Sequence, residues 1–250
     1  MMTSNLSSGA STNVNNLKTL NSAILGYGDH YNPANEQITQ AALQAVYLLG
    51  LSAVNAVNIV VPVNTNAKNA RSKAFDSMGK LATRAGNAFK SLVADEPARE
   101  HIRSLILLIQ RGRVNAKTKS VANGNSADPV TVKENASHKS SFEKQLDNFY
   151  KLIQFLGSFP AYTPNEADLT VAGLTELYNS LITNNQVVTD TQIQLDNTRR
   201  IREKVLYQPI SGLVQMSNDS KSYIKSVYGA GSPEYKQISK LKFRFYNGIL

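Results

Sequence analysis

The chain contains two copies of one segment, and this repeat limits the possible architecture more than any other feature. Identical residues recur at an offset of 131 positions along the 250-residue sequence. The identical pairs are Tyr31/Tyr162, Thr39/Thr170, Leu43/Leu174, Tyr47/Tyr178, Val57/Val188, Asn66/Asn197, Arg71/Arg202 and Lys73/Lys204. After a few inserted residues a second block pairs Pro97 with Pro233 and Gly112 with Gly248. Such repetition favours a scaffold built twice over a single inherited active site.

The apolar residues of both copies recur with the spacing of a helix face. They lie three and four positions apart between Leu43 and Val61, and again between Leu174 and Val188. A capping box at Thr163–Glu166 predicts a helix start in copy two, and nothing breaks that pattern until Pro209. In copy one, Pro62 lies inside the equivalent stretch and predicts a kink or a break.

These patterns predict an all-α protein, an elongated bundle of long helices built from two internal repeats with pseudo-two-fold symmetry. Short terminal strands are an alternative to helix at 105–109 and 241–245, where the apolar pattern fits both. The predicted organisation is a flexible N-terminal tail (1–15), helical repeat 1 (16–113), a polar linker (114–140) and helical repeat 2 (141–250). We expect the two repeats to pack as one domain.

The inventory of reactive residues argues against catalysis. The chain has no cysteine, and its three histidines are far apart in the sequence. No phosphate-binding glycine loop, nucleophile elbow or metal-ligand spacing is present. We therefore predict a protein that is not an enzyme, with no cofactor, no metal and no small-molecule substrate. The Ser/Asn-rich N-terminus has no apolar stretch, which favours the cytoplasm, with signal-independent export left open.

The most unusual stretch runs from Gln37 to Ala67, where 31 consecutive residues carry no charge. Its counterpart in copy two, 168–198, contains four carboxylates. Three interpretations are open: a bundle helix buried on all sides, a face buried on oligomerisation, or a membrane-insertion segment as in helical pore-forming toxins. The candidate assembly or membrane face consists of Leu43, Tyr47, Leu51, Val54, Val57 and Val61.

Basic residues give the chain a net charge of +9 and form two clusters of interest. The candidate anion-binding residues are Arg199, Arg200, Arg202, Lys240, Lys242 and Arg244. The last three alternate with aromatic residues, a pattern that could follow a phosphate backbone and stack bases. An amphipathic end segment has the same composition, so nucleic acid is kept only as the second alternative.

Three short motifs give the chain a resemblance to other proteins. They are Ser141-Phe142 with Lys151-Leu-Ile-Gln154, Tyr162-x-Pro164-Asn-Glu166, and Ser232-Pro-Glu-Tyr-Lys-Gln-Ile238 with Leu241-Lys-Phe243. In these motifs the sequence resembles a family of uncharacterised helical proteins from Bacteroidota, most clearly over about 141–245. The resemblance implies a bacterial, all-helical protein and carries no activity, cofactor or site residue.

Taken together, the duplication, the charge-free segment and the lack of catalytic motifs predict a non-enzymatic structural or interaction protein. We expect it to self-associate as a homo-oligomer. A membrane-active or pore-forming protein using the helix at 37–67 is the first alternative, and a nucleic-acid-binding protein is the second.

Overall fold

All regular structure in the described part of the chain is helical. The computed structural model describes residues 4–110 and 142–245, and no strand occurs in those ranges, which confirms the predicted all-α class. The α-helices of these ranges are α1 (Ser4–Tyr27), α2 (Gln40–Leu92), α3 (Glu96–Gln110), α4 (Phe142–Gly157), α5 (Val171–Tyr207), α6 (Leu213–Tyr228) and α7 (Pro233–Ser239). The predicted linker, 114–140, lies outside the described residues.

The first helix begins earlier than the sequence indicated. We predicted a flexible tail over 1–15, but α1 is helical from Ser4 onwards. Ala10, Val14 and Leu17 are 1%, 2% and 0% exposed, and they lie on one face at spacings of four and three. Their burial stabilises a helix whose Ser- and Asn-rich composition does not favour one by itself.

The two long helices each begin directly after a threonine. The hydroxyl of Thr39 accepts a hydrogen bond from the Ala42 amide at 3.3 Å, and the hydroxyl of Thr170 accepts one from the Gly173 amide at 3.1 Å. These N-caps satisfy amides that have no partner inside the helix. The capping box predicted at Thr163–Glu166 was wrong, because α5 starts after Thr170, following a short 3₁₀ turn.

The longest helix passes through its proline. α2 contains 53 residues and is continuous at Pro62, so the break we allowed for does not occur. Pro62 cannot donate a hydrogen bond to the carbonyl of Asn58. Both residues are exposed, so water can satisfy that carbonyl. In copy two a helix does end near a proline, since α5 ends at Tyr207, two residues before Pro209.

Neither predicted terminal strand forms. Residues 105–109 belong to α3, whereas 241–245 have no regular structure. The side chain of Asn13 binds the backbone of Arg244 twice, donating to its carbonyl at 2.9 Å and accepting from its amide at 3.1 Å. Asn16 donates to the carbonyl of Lys242 at 2.9 Å. Side-chain amides of α1 thus satisfy the backbone groups that a neighbouring strand would otherwise satisfy.

The chain divides into two compact units. Unit 1 contains 1–65 and 190–250, and unit 2 contains 66–189. The core of unit 1 joins α1, the first part of α2, α6 and α7, with Leu17, Leu43 and Leu213 fully buried. The core of unit 2 joins the last part of α2, α3, α4 and the first part of α5, with Phe89 and Phe149 fully buried. Each core therefore combines residues from both sequence copies.

The turn between α5 and α6 contains a strained residue. Ile210 has φ +71°, a left-handed conformation that is unfavourable for a β-branched side chain, and it is 67% exposed. The amide of Gly212 donates to the Gln208 carbonyl at 2.8 Å across this turn, which holds the conformation in place. Asparagine tolerates such a conformation better than isoleucine.

We expect Ile210→Asn to raise the free energy of unfolding by about 1 kcal/mol, because it relieves this strain. Urea denaturation followed by circular dichroism measures the change. Ile201→Asn, at a similarly exposed position inside α5, is the control and should not stabilise the protein. A stability equal to or below that of the unaltered chain for Ile210→Asn would contradict the strain.

Candidate functional site

The face of α2 that the sequence indicated is largely internal. Leu43, Val54 and Val57 are 0%, 7% and 3% exposed, and Tyr47 and Leu51 are half-buried. Of the six predicted residues only Val61, at 39%, is exposed. Five of the six therefore pack within the chain and cannot form a free assembly or membrane face as a set. The interpretation of α2 as a helix buried on all sides is also wrong, because its opposite side is open to solvent.

Close packing on the inner side of α2 fixes which side faces outwards. A Cβ at Gly50 would lie 2.7 Å from a methyl carbon of Leu213 and 3.3 Å from one of Val14. A side chain at position 50 would require the Leu213 side chain to move, so the backbone of α2 approaches both α6 and α1 closely. The first part of α2 is thereby held against the core of unit 1, and its remaining side is presented to solvent.

An uncharged stripe runs along the outer side of α2. We define the outer stripe as Ala41, Ala45, Leu48, Ser52, Asn55 and Ile59, all of which are exposed. The two large apolar members, Leu48 and Ile59, are 54% and 67% exposed. Successive members are alternately four and three residues apart, which is the heptad spacing of a coiled-coil seam.

The centre of the outer stripe is hollow. Leu48 and Ile59 stand at the two ends of a shallow depression of about 410 Å³. Its lining residues are Leu48, Leu51, Ser52, Asn55, Ala56 and Ile59. Small and polar side chains, Ser52, Asn55 and Ala56, form the middle of this open depression.

The corresponding face of copy two is polar. At the offset of 131 residues the outer stripe corresponds to Ala172, Glu176, Asn179, Thr183, Gln186 and Asp190, all of them exposed. Leu48 thus corresponds to an asparagine, and Ala45 and Ile59 correspond to carboxylates. The polar residues of copy two are suited to a helix face that contacts only water. The outer stripe exposes apolar area that favours contact with another apolar surface.

The basic residues predicted to bind anions do not all form an accessible surface. Arg202 is 5% exposed and lies 3.5 Å from Glu203, so it is a buried, paired charge. Arg199 pairs with Asp196 at 3.5 Å, whereas Arg200 is exposed. The side chains of Lys240, Lys242 and Arg244 are exposed, in the segment that α1 holds by its backbone. The proposed cluster therefore loses its most central arginine.

The titratable groups that depart from their ordinary behaviour are structural. Burial raises the pKa of Tyr31 and of Tyr162 to about 12. Their hydroxyls donate to the carbonyls of Ile38 at 2.6 Å and Leu169 at 2.7 Å. Burial lowers the pKa of Lys221, whose ammonium group donates to the carbonyls of Ser239, the last residue of α7, and of Leu241, which follows it. These groups stabilise helix ends and loops.

Two further possibilities for this part of the chain are metal binding and membrane crossing. Among 4–110 and 142–245, no group of three or more acidic or histidine side chains could hold a metal ion. One helix of that part of the chain, α2, is long and apolar enough to cross a membrane, and only 33% of its most apolar 18-residue window is buried. Length and composition therefore distinguish α2 from the other described helices.

Comparison with known proteins gave no relative: no protein-family model, no curated protein and no solved structure matches the chain. The similarity to Bacteroidota helical proteins stays a prediction. The outer stripe is therefore interpreted from its own chemistry.

Proposed function

We propose that this protein is a non-enzymatic structural or interaction protein that self-associates through the outer stripe of α2. The single observation that carries the proposal is the exposure of Leu48 and Ile59 on a helix face without charge. Large apolar side chains exposed together on an uncharged helix face are typical of surfaces that another molecule covers. The polar residues at the same positions of copy two indicate that the fold itself does not require this stripe.

The energy of burial is compatible with association. Fully burying one leucine or isoleucine side chain contributes about 1.5–3 kcal/mol. A symmetric dimer would cover four such side chains, but at 54% and 67% exposure they are already partly buried, so each contributes only part of that energy. Lost translational and rotational freedom opposes this gain by about 4–15 kcal/mol. Alanine, serine and asparagine at the remaining positions add little. We therefore expect a reversible complex of modest affinity rather than a permanent one.

Size-exclusion chromatography with light scattering tests the proposal on the unaltered protein. The molar mass should rise with protein concentration above the 27.3 kDa of one chain. A mass equal to one chain, unchanged up to high micromolar concentration, would contradict self-association.

A second candidate function is membrane activity through the same helix. The observation that favours it is the length and apolar character of α2, of which most is not buried. Against it, Ser52, Asn55 and Asn58 lie within the segment and would be costly in hydrocarbon. The test is release of a dye from liposomes of neutral and of anionic lipid. Release that Ile59→Asp abolishes would favour the membrane, and no release in any lipid would exclude this candidate.

We also propose that the two units are equivalent, and that each combines the first half of one sequence copy with the second half of the other. In unit 1, Tyr31 of copy one packs edge-on against Tyr223 of copy two, with ring centres 5.3 Å apart. In unit 2, Tyr162 of copy two packs against Phe89 of copy one at 6.0 Å. The matching hydrogen bonds of Tyr31 and Tyr162, each to a carbonyl seven residues onwards, support the same equivalence. Symmetry between the units stays a prediction.

Equivalent units predict equal costs for equivalent substitutions. Tyr31→Phe and Tyr162→Phe should each lower the free energy of unfolding by about 1–3 kcal/mol, because each leaves a buried carbonyl without its donor. Chemical denaturation at neutral pH measures both values. Tyr150→Phe, at an exposed position of α4, is the control and should change little. Costs that differ by more than about 2 kcal/mol would argue against equivalence.

A further inference from the structure

We infer that the outer stripe pairs with the outer stripe of a second copy of this chain in antiparallel orientation, with Ser52 of one copy opposite Asn55 of the other. The inference rests on the proposed self-association and adds the partner, the orientation and the register. Alternating spacings of four and three residues place all six members of the stripe on one seam, as in coiled coils.

The residues that line the depression are arranged as knobs-into-holes packing of a coiled coil requires. In a coiled coil each seam residue enters a hole formed by four residues of the facing helix. Two successive holes on α2 are Leu48, Leu51, Ser52 and Asn55, followed by Ser52, Asn55, Ala56 and Ile59. Together these are the six residues that line the depression, with none left over. In the inferred register the first hole receives Asn55 of the second copy and the second receives Ser52.

The inferred register matches the side chains layer by layer. Leu48 of each copy lies opposite Ile59 of the other, which gives two apolar layers. Ser52 lies opposite Asn55 in two central layers, where the hydroxyl and amide groups can exchange hydrogen bonds and avoid unpaired burial. Ala45 lies opposite Pro62, so a small side chain meets a bulky ring. An asparagine in the seam also fixes the alignment, because other alignments bury it against apolar groups.

The distribution of charge favours the antiparallel orientation. α2 begins at Gln40, and the first charged residue that follows along the chain is Lys68. The uncharged part of the helix, 40–67, has its midpoint between Ala53 and Val54. The inferred register has the same midpoint, so each uncharged part covers the other along its whole length. In a parallel pair the seam would continue through 62, 66, 69 and 73, so Lys73 would meet Lys73 of the second copy, which is unfavourable because like charges repel.

Disulfide cross-linking tests the orientation, because the chain has no cysteine of its own. Leu48→Cys and Ile59→Cys are prepared separately, one of them with a small tag, and oxidised alone and as a mixture. Both positions are exposed, so neither substitution should impair folding. In the antiparallel register the two cysteines share a layer, whereas two identical cysteines lie about 16 Å apart along the axis. A disulfide cannot span that distance.

The expected result is a linked dimer in the mixture of the two variants and little linked dimer with either variant alone. A mixture of Leu25→Cys with Ile59→Cys is the control for random collision, since Leu25 is 67% exposed on α1. Linkage of each variant to itself would overturn the antiparallel register. No linkage above the control, in a protein whose molar mass shows a dimer, would overturn the seam and leave self-association intact. A molar mass of one chain throughout would overturn the proposed function itself.

Discussion

A chain that carries Leu48→Asn together with Ile59→Asp is expected to stay monomeric at concentrations at which the unaltered chain associates. Both substitutions introduce the residues that copy two already has at the corresponding positions, Asn179 and Asp190. A symmetric dimer would lose four apolar side chains and would bury two unpaired carboxylates. We expect association to weaken by 100-fold or more, about 2.7 kcal/mol. Sedimentation velocity over a concentration series measures this loss.

The matched control introduces the same chemistry elsewhere on unit 1. Leu25 and Ile201 are 67% and 60% exposed, on α1 and α5. The double variant Leu25→Asn with Ile201→Asp has the same change in net charge and removes the same two kinds of side chain. It should associate like the unaltered protein. If both double variants dissociate equally, the effect arises from charge or solubility and not from the outer stripe. Both should keep their stability within about 0.5 kcal/mol.

Loss of stability in strong alkali is the second large effect. Tyr31 and Tyr162 have pKa values raised from 10.0 to about 12 in the folded chain. A raised pKa means that the folded state keeps protons that the unfolded state releases. The stability that these neutral tyrosines contribute is therefore complete below pH 10 and disappears as the pH rises towards 12. Each shift corresponds to about 2.7 kcal/mol, so the two together amount to about 5 kcal/mol.

Urea denaturation at a series of pH values from 8 to 12 measures this loss. The double variant Tyr31→Phe with Tyr162→Phe should be less stable at neutral pH but should show a flatter dependence between pH 10 and 12. Lys221 acts in the opposite direction, because burial lowers its pKa and the unfolded state then holds the proton to higher pH. A dependence equally steep in the double variant would assign alkaline unfolding to other groups.

The helical class and the end of α5 could be predicted from the sequence, because they depend on local patterns. Spacings of three and four in copy two correspond to α5, and the predicted break at Pro209 corresponds to its end at Tyr207. The start of α5 was harder to predict, since two threonines, Thr163 and Thr170, both precede suitable residues. In the folded chain the Tyr162 hydroxyl donates a hydrogen bond to the Leu169 carbonyl, a contact next to the start of α5 that local sequence patterns do not reveal.

The identity of the outward face could not be predicted from α2 alone. The uncharged part of α2 has two uncharged stripes with the same helical period. One runs through Leu43 and Val54, and the other runs through Leu48 and Ile59. Which stripe is buried depends on where α1 and α6 pack, as at Gly50, and this is not a local property. One signal was present: Glu176 and Asp190 of copy two occupy positions that correspond to Ala45 and Ile59. Carboxylates at exposed positions of one copy indicate solvent exposure in the other.

The exchange of halves between the copies also required the structure. An offset of 131 residues is the same whether each copy folds on itself or contributes to two units. The two arrangements bury the same kinds of side chain and differ only in which copy provides them. Only contacts distant in sequence separate these alternatives, such as the hydrogen bonds between Asn13 and Arg244.

The molar mass of the protein across a concentration series, measured by light scattering, tests self-association through α2 most directly. The unaltered chain should pass from one chain to two as its concentration rises. The Leu48→Asn/Ile59→Asp variant should remain at 27.3 kDa under the same conditions, and the Leu25→Asn/Ile201→Asp control should follow the unaltered chain. An unaltered chain that stays monomeric, or a Leu48→Asn/Ile59→Asp variant that dimerises equally well, would contradict the account.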